Sequence, residues 1–265
     1  MPTQRRLAEF ISASAYTDPV DIKKLRFIYG ALEKYVRSSG KSFEDLHVLE
    51  VACGTGEITL SLASLCCQVT AFDIDQKAVE YLQARIEDRK ISNLTVTVDD
   101  GCTFDDGRVY DIVVASEVFE HVLEPARLAG SITRRMGRGS YLVVTTPNGY
   151  GPWELKNRID VRSHMRKWNA LRRLLGKTPY VRGAGADHCQ FYMRRDLVSL
   201  FASFSLTLID FAKSDSFLAI FRPLRRNHLL QSADTRLADT MPYWLASGWY
   251  FVFELTGLKG ANSGA

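Results

Sequence analysis

Residues 47–62, with the sequence HVLEVACGTGEITLSL, decide the fold that this chain is predicted to adopt. A short apolar run typical of a buried parallel strand is followed by a turn of small residues and then at once by a helix. Gly54 and Gly56 permit positive φ in the turn and lack the Cβ atoms that would keep a ligand away from the backbone. The N-terminus of the following helix offers unpaired N–H groups to an anion. The stretch therefore predicts a site for a nucleotide-like ligand.

The spacing of small residues in the turn separates two kinds of nucleotide site. A dinucleotide fingerprint has a third small residue where this chain has the β-branched Thr59, which fits poorly between a helix and a strand. The pattern Glu50-x-Ala52-x-Gly54-x-Gly56 instead resembles the first motif of the class I S-adenosylmethionine-dependent methyltransferases, with Ala52 replacing the first glycine. The resemblance implies S-adenosyl-L-methionine as cofactor and S-adenosyl-L-homocysteine as product. It also implies that these four residues bind the cofactor.

The second predicted strand, residues 68–72, ends in an acidic residue, Asp73. A carboxylate at this place in an open α/β sheet can accept hydrogen bonds from both hydroxyls of a ribose. By resemblance to the second motif of the family, Asp73 takes that role, with Ile74 beside it in the cofactor site. Asp75 is expected to cap the helix that follows.

The third predicted strand, residues 94–98, ends in the sequence Asp99-Asp100-Gly101. Members of the family have an acidic residue followed by a small one at this place, and the pair contacts the adenine. The resemblance therefore implies that Asp100 and Gly101 bind the cofactor, with Asp99 as the second choice. The same residues are also typical of an ordinary tight turn.

The fourth predicted strand, residues 110–115, runs into a segment with acidic residues and a histidine. YDIVVASEVFEHV resembles the fourth motif of the small-molecule branch of the family, which includes the ubiquinone-biosynthesis O-methyltransferases. The family places this segment beside the methionine part of the cofactor, which implies contacts from Ser116 and Glu117.

If the methyl group is transferred to a hydroxyl, a base has to remove the hydroxyl proton. A base that titrates near neutral pH suits this step, and histidine meets that requirement. His121, His188 and Glu120 are the candidate catalytic residues, although a lone histidine is more often structural. Glu117 and Glu120 are also candidates for a base or for part of a divalent metal site. No metal motif with a defined spacing is present, so no metal ligands are assigned.

The order of the predicted elements indicates an α/β fold. Strands alternate with helices, which predicts a Rossmann-like seven-stranded sheet, mostly parallel, with helices on both faces. Two successive strands, at residues 204–211 and 217–221, predict the antiparallel β-hairpin that closes the sheet in this family. Asp18-Pro19 predicts the start of an earlier helix, which either covers the cofactor or packs on the sheet.

The predicted organisation has three parts: a helical cap (1–46), the cofactor-binding core (47–221) with an inserted lid (150–190), and an aromatic-rich extension (222–265). Within the lid, residues 152–182 carry nine basic and two acidic side chains, a net charge of +7, and an apolar stripe at helical spacing. This basic helix is expected to be a packed lid, to contact an anionic membrane or lipid-linked substrate, or to bind a phosphorylated or nucleic-acid ligand.

The composition of the chain limits the ligands and the cellular compartments that can be expected for it. The net charge of +4 is too small to imply nucleic acid, and five cysteines without a regular framework indicate a reducing compartment. No apolar run is long enough for a signal peptide or a membrane span, which predicts a cytoplasmic protein, with peripheral association at the inner membrane face as an alternative. The oligomeric state is left open.

The sequence thus predicts a methyltransferase that acts on a small or lipophilic acceptor, at a hydroxyl oxygen. Two alternatives from other classes stay open at this point. One is a nicotinamide-dependent oxidoreductase, and the other is a catalytically silent partner protein with the methyltransferase fold.

Overall fold

The protein is described by a computed structural model in which residues 2–66, 68–151, 188–216 and 227–257 are placed. Within these ranges seven strands form one sheet in the order β3-β2-β1-β4-β5-β7-β6. The strands are β1 (His47–Val51), β2 (Gln68–Asp73), β3 (Leu94–Val98), β4 (Tyr110–Ser116), β5 (Met136–Pro147), β6 (Leu206–Lys213) and β7 (Gly248–Leu255). The helices are α1 (Pro2–Ala13), α2 (Pro19–Ser39), α3 (Glu57–Ala63), α4 (Gln76–Arg89), α5 (Pro125–Arg134), α6 (Arg194–Ala202) and α7 (His228–Thr240).

Strand β1 lies near the middle of the sheet and pairs in parallel with β2 on one side and β4 on the other. Its last four residues are buried, as expected for a strand that is covered by helices on both faces. The chain leaves β1 in one direction along the sheet and returns to pair on its other side. In open α/β sheets, a reversal of this kind leaves a ligand crevice at the carboxyl ends of the strands. The predicted fold class is confirmed.

The antiparallel part of the sheet differs from the prediction in its second strand. Strand β6 begins close to the predicted position, but it pairs with β7, from the C-terminal part of the chain. Strand β7 also pairs with β5, so it lies between them. Residues 217–221, predicted as the second strand, lie outside the described residues. Residues 222–265, predicted as an extension, thus supply an inner strand of the sheet.

Burial explains why β7 is hard to recognise in the sequence. Its side chains Trp249, Tyr250, Phe251 and Phe253 are all nearly inaccessible to solvent. A strand buried on both faces has a continuous apolar run and no alternation, so its pattern does not distinguish it from a buried helix or a pocket wall.

Helix α2 is part of the core. Asp18 caps its N-terminus by accepting a hydrogen bond from the N–H of Val20. Leu25, Ile28 and Leu32 are fully buried against the sheet, and each such side chain contributes roughly 1.5–3 kcal/mol through the apolar surface that it removes from water. The helix therefore packs on the sheet, which is one of the two alternatives predicted for it.

The prediction of a basic lid concerns residues outside the described ranges. In the described part of the chain, no helix is both long enough and apolar enough to cross a membrane.

Candidate functional site

A cavity of about 700 Å³ lies at the carboxyl ends of β1, β2 and β4. We call it the strand-end cavity. Seven of the residues predicted to form the site line it: Ala52, Asp73, Ile74, Asp100, Gly101, Glu117 and His121. Four successive segments of the sequence therefore meet at one place, as the parallel strands require.

The carboxylate of Asp73 is held in a fixed orientation at the edge of this cavity. Its Oδ2 accepts a hydrogen bond from the N–H of Gly54 at 2.7 Å, and its Oδ1 accepts one from the N–H of Asp75 at 2.9 Å. Each carboxylate oxygen has two lone pairs, so each retains one for a ligand hydroxyl. Asp75 caps α4 by accepting from the N–H of Lys77, which confirms its predicted role.

The two glycines of the turn differ in what surrounds them. Gly54 has φ +52°, and a Cβ built on it would meet no atom within 4 Å, so the space above it is open. Gly56 has φ +86°, and its Cβ would lie 2.3 Å from Cδ1 of Leu82. Gly56 lines none of the cavities described here. Gly54 thus leaves room for a ligand, whereas Gly56 lets α4 pack against the turn.

Glu50 is buried under the turn and hydrogen bonded to Thr59. The hydroxyl of Thr59 donates to Oε2 of Glu50 at 2.5 Å. The pKa of Glu50 is raised to about 8, mainly by burial and in part by the nearby Asp73, and the Thr59 hydrogen bond opposes both effects. Thr59, which departs from the dinucleotide pattern, thus forms a hydrogen bond with Glu50, the acidic residue of the methyltransferase pattern.

A second cavity, of about 210 Å³, lies over the glycine turn, and we call it the turn cavity. Glu50, Ala52, Gly54, Ser116 and Glu117, all predicted site residues, line it together with Tyr16 and Lys24. Burial raises the pKa of Tyr16 well above its ordinary value, and the surrounding carboxylates add to the effect.

Lys24 brings a buried positive charge to the turn cavity. Its side chain is 11% exposed, and its ammonium lies 3.7 Å from Oδ1 of Asp21 and 3.8 Å from Oε1 of Glu117. Both distances are longer than a hydrogen bond, and the described residues supply no closer acceptor. A buried ammonium with three donors and no close acceptor suits an anionic group of a ligand.

The sequence prediction missed Lys24 because only the apolar stripe of α2 was used. The residue precedes Ile28 by one helical turn, so a charged side chain lay on the buried face of a helix. A lysine on the apolar face of a predicted helix is the sequence feature that could have indicated Lys24.

Glu117 connects the cavities. Its φ of +57° is in the left-handed region, which is uncommon for a residue with a side chain. The backbone is held there by a hydrogen bond from its N–H to the carbonyl of Thr145 at 2.9 Å. Oε1 of Glu117 accepts from the hydroxyl of the same Thr145 at 2.9 Å, which directs the carboxylate.

The three candidate catalytic residues lie together. One ligand atom each from Glu120, His121 and His188 lies within 4.8 Å of the others. The N–H groups of Cys189 and Gln190 donate to the carbonyl of Glu120 at 2.8 and 3.0 Å, which brings His188 to this place. The two imidazole rings are 4.9 Å apart in an edge-to-face arrangement.

Glu120 is the buried member of this cluster, at 2% exposed. Its Oε2 accepts from the hydroxyl of Thr146 at 3.2 Å, and its Oε1 has no hydrogen-bond partner among the described residues. Burial, and secondarily Glu117, raise the pKa of Glu120 well above its ordinary range. Two imidazoles and a carboxylate are a donor set that zinc and similar divalent ions accept.

The family model described as a methyltransferase domain matches residues 24–210, well over half of the chain. The chain belongs to this family. The match confirms the methyltransferase predicted from the glycine turn and does not favour a nicotinamide-dependent oxidoreductase.

Relatives agree with this assignment over part of their length. The chain is 31% identical over 134 residues to the mitochondrial ubiquinone biosynthesis O-methyltransferase of Arabidopsis thaliana, covering 48% of this chain and 38% of the relative. It is 27% identical over 129 residues to the ubiquinone biosynthesis O-methyltransferase of Rickettsia akari, covering 48% of this chain and 50% of the relative. The chain therefore spans half or less of the length of these relatives.

Solved structures share the fold at low sequence identity. An S-adenosylmethionine-dependent methyltransferase from Clostridium acetobutylicum superposes with a TM-score of 0.57 at 12% identity, covering 88% of this chain and 90% of that one. A geranyl diphosphate C-methyltransferase from Streptomyces coelicolor superposes with a TM-score of 0.56 at 12% identity, covering 88% of this chain and 82% of that one. At these identities the likeness concerns the fold alone.

Proposed function

We propose that this protein transfers the methyl group of S-adenosyl-L-methionine to a small-molecule acceptor, at a hydroxyl oxygen. The observation that carries the proposal is the pair of adjoining cavities with the Asp73 carboxylate in one and the Lys24 ammonium in the other. S-adenosylmethionine has the complementary groups, because its ribose offers two hydroxyl donors and its methionine end carries a carboxylate.

The described residues fit this cofactor along its length. Ile74, 75% exposed, and Leu128 give the strand-end cavity apolar surface for a purine. A Cβ on Gly101 would lie 2.8 Å from Cδ1 of Leu128, so a side chain there would displace Leu128 from the cavity wall. Asp73 receives the ribose hydroxyls, the open space above Gly54 admits the centre of the cofactor, and Lys24 binds the carboxylate at the far end.

Methyl transfer needs little from the protein beyond positioning. The sulfonium is already an activated leaving group, so the acceptor oxygen attacks the methyl carbon in line and the C–S electron pair returns to sulfur. A hydroxyl acceptor must lose its proton, and His121 or His188 is the base in this proposal. His121 lines the strand-end cavity, and His188 lies against it.

A divalent ion held by Glu120, His121 and His188 is a second way to activate the acceptor. When bound, it would lower the pKa of a coordinated hydroxyl. Oε1 of the buried Glu120 has no hydrogen-bond partner within the described ranges, which supports this assignment, since such an atom is costly without a ligand or proton.

Peripheral membrane association belongs to the same proposal for a lipophilic acceptor. In the described part of the chain, Tyr243 and Trp244 are at least half exposed, and the Arg194 guanidinium lies 5.9 Å from the Tyr243 ring centre. Aromatic and basic side chains together suit an anionic membrane interface. The net charge of +7 on residues 152–182 favours the same association, in the cytoplasm at the inner membrane face.

Ligand titration by calorimetry tests the proposed function. We expect one S-adenosylhomocysteine to bind per chain and no heat from NAD under the same conditions. Transfer of label from methyl-labelled S-adenosylmethionine to a panel of phenols then separates an active enzyme from a silent partner protein. Binding of NAD, or of neither ligand, would contradict the proposal.

A further inference from the structure

A short connector, residues 14–18, joins α1 to α2 beside the glycine turn. Tyr16, in the middle of the connector, lines the turn cavity together with Gly54 and Thr55. The strand-end cavity, by contrast, has no residue of the connector in its lining. The connector therefore lies at the part of the site where the methionine end of the cofactor is proposed to bind, away from the adenosine part.

We propose that Glu57 is a positioning residue, which holds the connector so that Tyr16 closes the turn cavity over the methionine end of the cofactor. The inference rests on the proposed function, because it takes the turn cavity as the place of that end. It adds a pair of residues that select ligands with an amino-acid end over ligands that lack one.

Both carboxylate oxygens of Glu57 are engaged by other parts of the chain. Oε2 accepts a hydrogen bond from the N–H of Ala15 in the connector at 2.6 Å. Oε1 accepts one from Nη1 of Arg85 in α4, also at 2.6 Å. The same Nη1 donates to the carbonyl of Thr55 in the glycine turn at 2.8 Å. Three separate segments are thus joined at one carboxylate.

The ion pair between Glu57 and Arg85 is largely shielded from solvent. The side chains are 17% and 13% exposed, so water and salt screen this pair less than they screen an ion pair on the open surface. Burial by itself raises the pKa of Glu57, but the hydrogen bonds from Arg85 and Ala15 outweigh it and lower the pKa. Glu57 is therefore charged at neutral pH, the state in which it accepts from both donors.

The connector is also fixed at both of its ends. Before it, Nη1 of Arg89 donates to the carbonyl of Ala13 at 3.0 Å. At its last residue, Nε2 of Gln231 in α7 donates to Oδ2 of Asp18 at 2.9 Å. The contact with Glu57 lies between these two. Its loss should therefore loosen the middle of the connector while the ends stay in place.

Tyr16 brings a hydrogen-bond donor to the turn cavity. Burial, and after it four surrounding carboxylates, raise the pKa of Tyr16 well above its ordinary value, so the phenol keeps its proton. A phenol O–H can donate to the carboxylate at the methionine end of the cofactor, and the ring offers apolar surface to the methylene groups beside it. A ligand without an amino-acid end gives this side chain no such partner.

Two ligands separate the connector from the rest of the site. S-adenosylhomocysteine has the amino-acid end, whereas methylthioadenosine has a methyl group on sulfur in its place. In wild-type protein saturated with each ligand, S-adenosylhomocysteine should slow hydrogen exchange in residues 14–18, and methylthioadenosine should leave it unchanged. Equal protection by the two ligands, or protection by neither, would overturn the inference, and this measurement needs no variant.

A matched pair of variants tests the role of Glu57. Glu57→Ala and Glu9→Ala each remove one carboxylate that pairs with an arginine, but Glu9 pairs with Arg5 on the exposed surface of α1. In calorimetric titrations, Glu57→Ala should lose roughly tenfold in S-adenosylhomocysteine affinity and keep methylthioadenosine affinity within about twofold, whereas Glu9→Ala should match the wild type. An unchanged S-adenosylhomocysteine affinity, or equal losses for both ligands, would contradict the positioning role.

A double-mutant cycle tests whether Glu57 acts through Tyr16. Tyr16→Ala alone should lose roughly tenfold in S-adenosylhomocysteine affinity, and addition of Glu57→Ala should lower it by less than about twofold more. No loss in Tyr16→Ala, or a larger further loss in the double variant, would overturn the inference, because Glu57 would then act on the cofactor without Tyr16.

The same titrations separate failure of the inference from failure of the proposed function. Wild-type protein that binds no S-adenosylhomocysteine contradicts the proposed function itself. Wild-type protein that binds it, with an affinity that Glu57→Ala leaves unchanged, contradicts only the inference.

Discussion

The ammonium of Lys24 lies 3.8 Å from Oε1 of Glu117, and both residues line the turn cavity. Lys24 comes from α2 and Glu117 follows β4, so the contact connects the N-terminal helices to the carboxyl end of the sheet. The helical region thus supplies a charged group to the proposed cofactor site in addition to packing on the sheet.

Replacement of Lys24 tests the proposed carboxylate contact. In Lys24→Met the stem is retained and the ammonium is lost, so we expect S-adenosylhomocysteine affinity to fall at least tenfold, about 1.4 kcal/mol. Adenosine has no carboxylate, and its affinity should stay within twofold in the same calorimetric titration. Equal losses for the two ligands would show that the variant damages the site generally.

Replacement by alanine should have different effects on stability and cofactor affinity at the two glycines of the turn. Gly56→Ala forces Cβ into Leu82 at a positive φ, so the free energy of unfolding should fall by roughly 2–4 kcal/mol in urea titrations. Gly54→Ala meets no atom, so its loss of stability should be near the roughly 1–2 kcal/mol cost of the left-handed conformation. Gly54→Ala should instead reduce cofactor affinity. Equal stability losses would contradict the separate roles.

Burial of Glu50 should make stability depend on pH. Its pKa is raised from 4.5 to about 8 by burial, so between these values the folded protein retains a proton that the unfolded chain releases. Stability should therefore decrease as pH rises through this window, by up to about 1.4 kcal/mol per pH unit, and level off above it.

Glu50→Gln isolates this contribution, because a neutral amide can still accept from Thr59. The stability difference between wild type and variant, from urea titrations at pH 5 and pH 8, should shift in favour of the variant at pH 8. A difference that is the same at both pH values would contradict the raised pKa.

The cluster of Glu120, His121 and His188 should bind zinc. We expect one Zn²⁺ per chain in equilibrium dialysis and a rise in the melting temperature with added zinc, because an ion that binds only the folded state stabilises it. His188→Ala should weaken binding at least tenfold. His228→Ala, at the exposed start of α7, is the matched control, and equal affinities in the two variants would exclude the cluster as the site.

The parallel half of the sheet was predictable because its signals are local. The apolar runs of β1 to β4, the cap residues Asp18 and Asp75, and the acidic strand ends each depend on neighbouring residues. Since parallel strands place their carboxyl ends together, these local signals were enough to predict which residues share the strand-end cavity.

The rest of the site depends on contacts between distant parts of the chain. The place of β7 between β5 and β6 is set by packing on both faces, which leaves no periodic pattern to read. His188 reaches His121 through backbone hydrogen bonds to the Glu120 carbonyl, and such bonds are not visible in the sequence.

The most direct test of the central claim is the S-adenosylhomocysteine affinity of Asp73→Ala beside Asp88→Ala, measured by calorimetry. Both variants remove one carboxylate, but Asp73 lies in the strand-end cavity, whereas Asp88 lies on the exposed face of α4. If Asp73 binds the ribose, Asp73→Ala should lose at least tenfold in affinity with its fold retained, and Asp88→Ala should match the wild type. Equal affinity in all three proteins would contradict the proposed cofactor site.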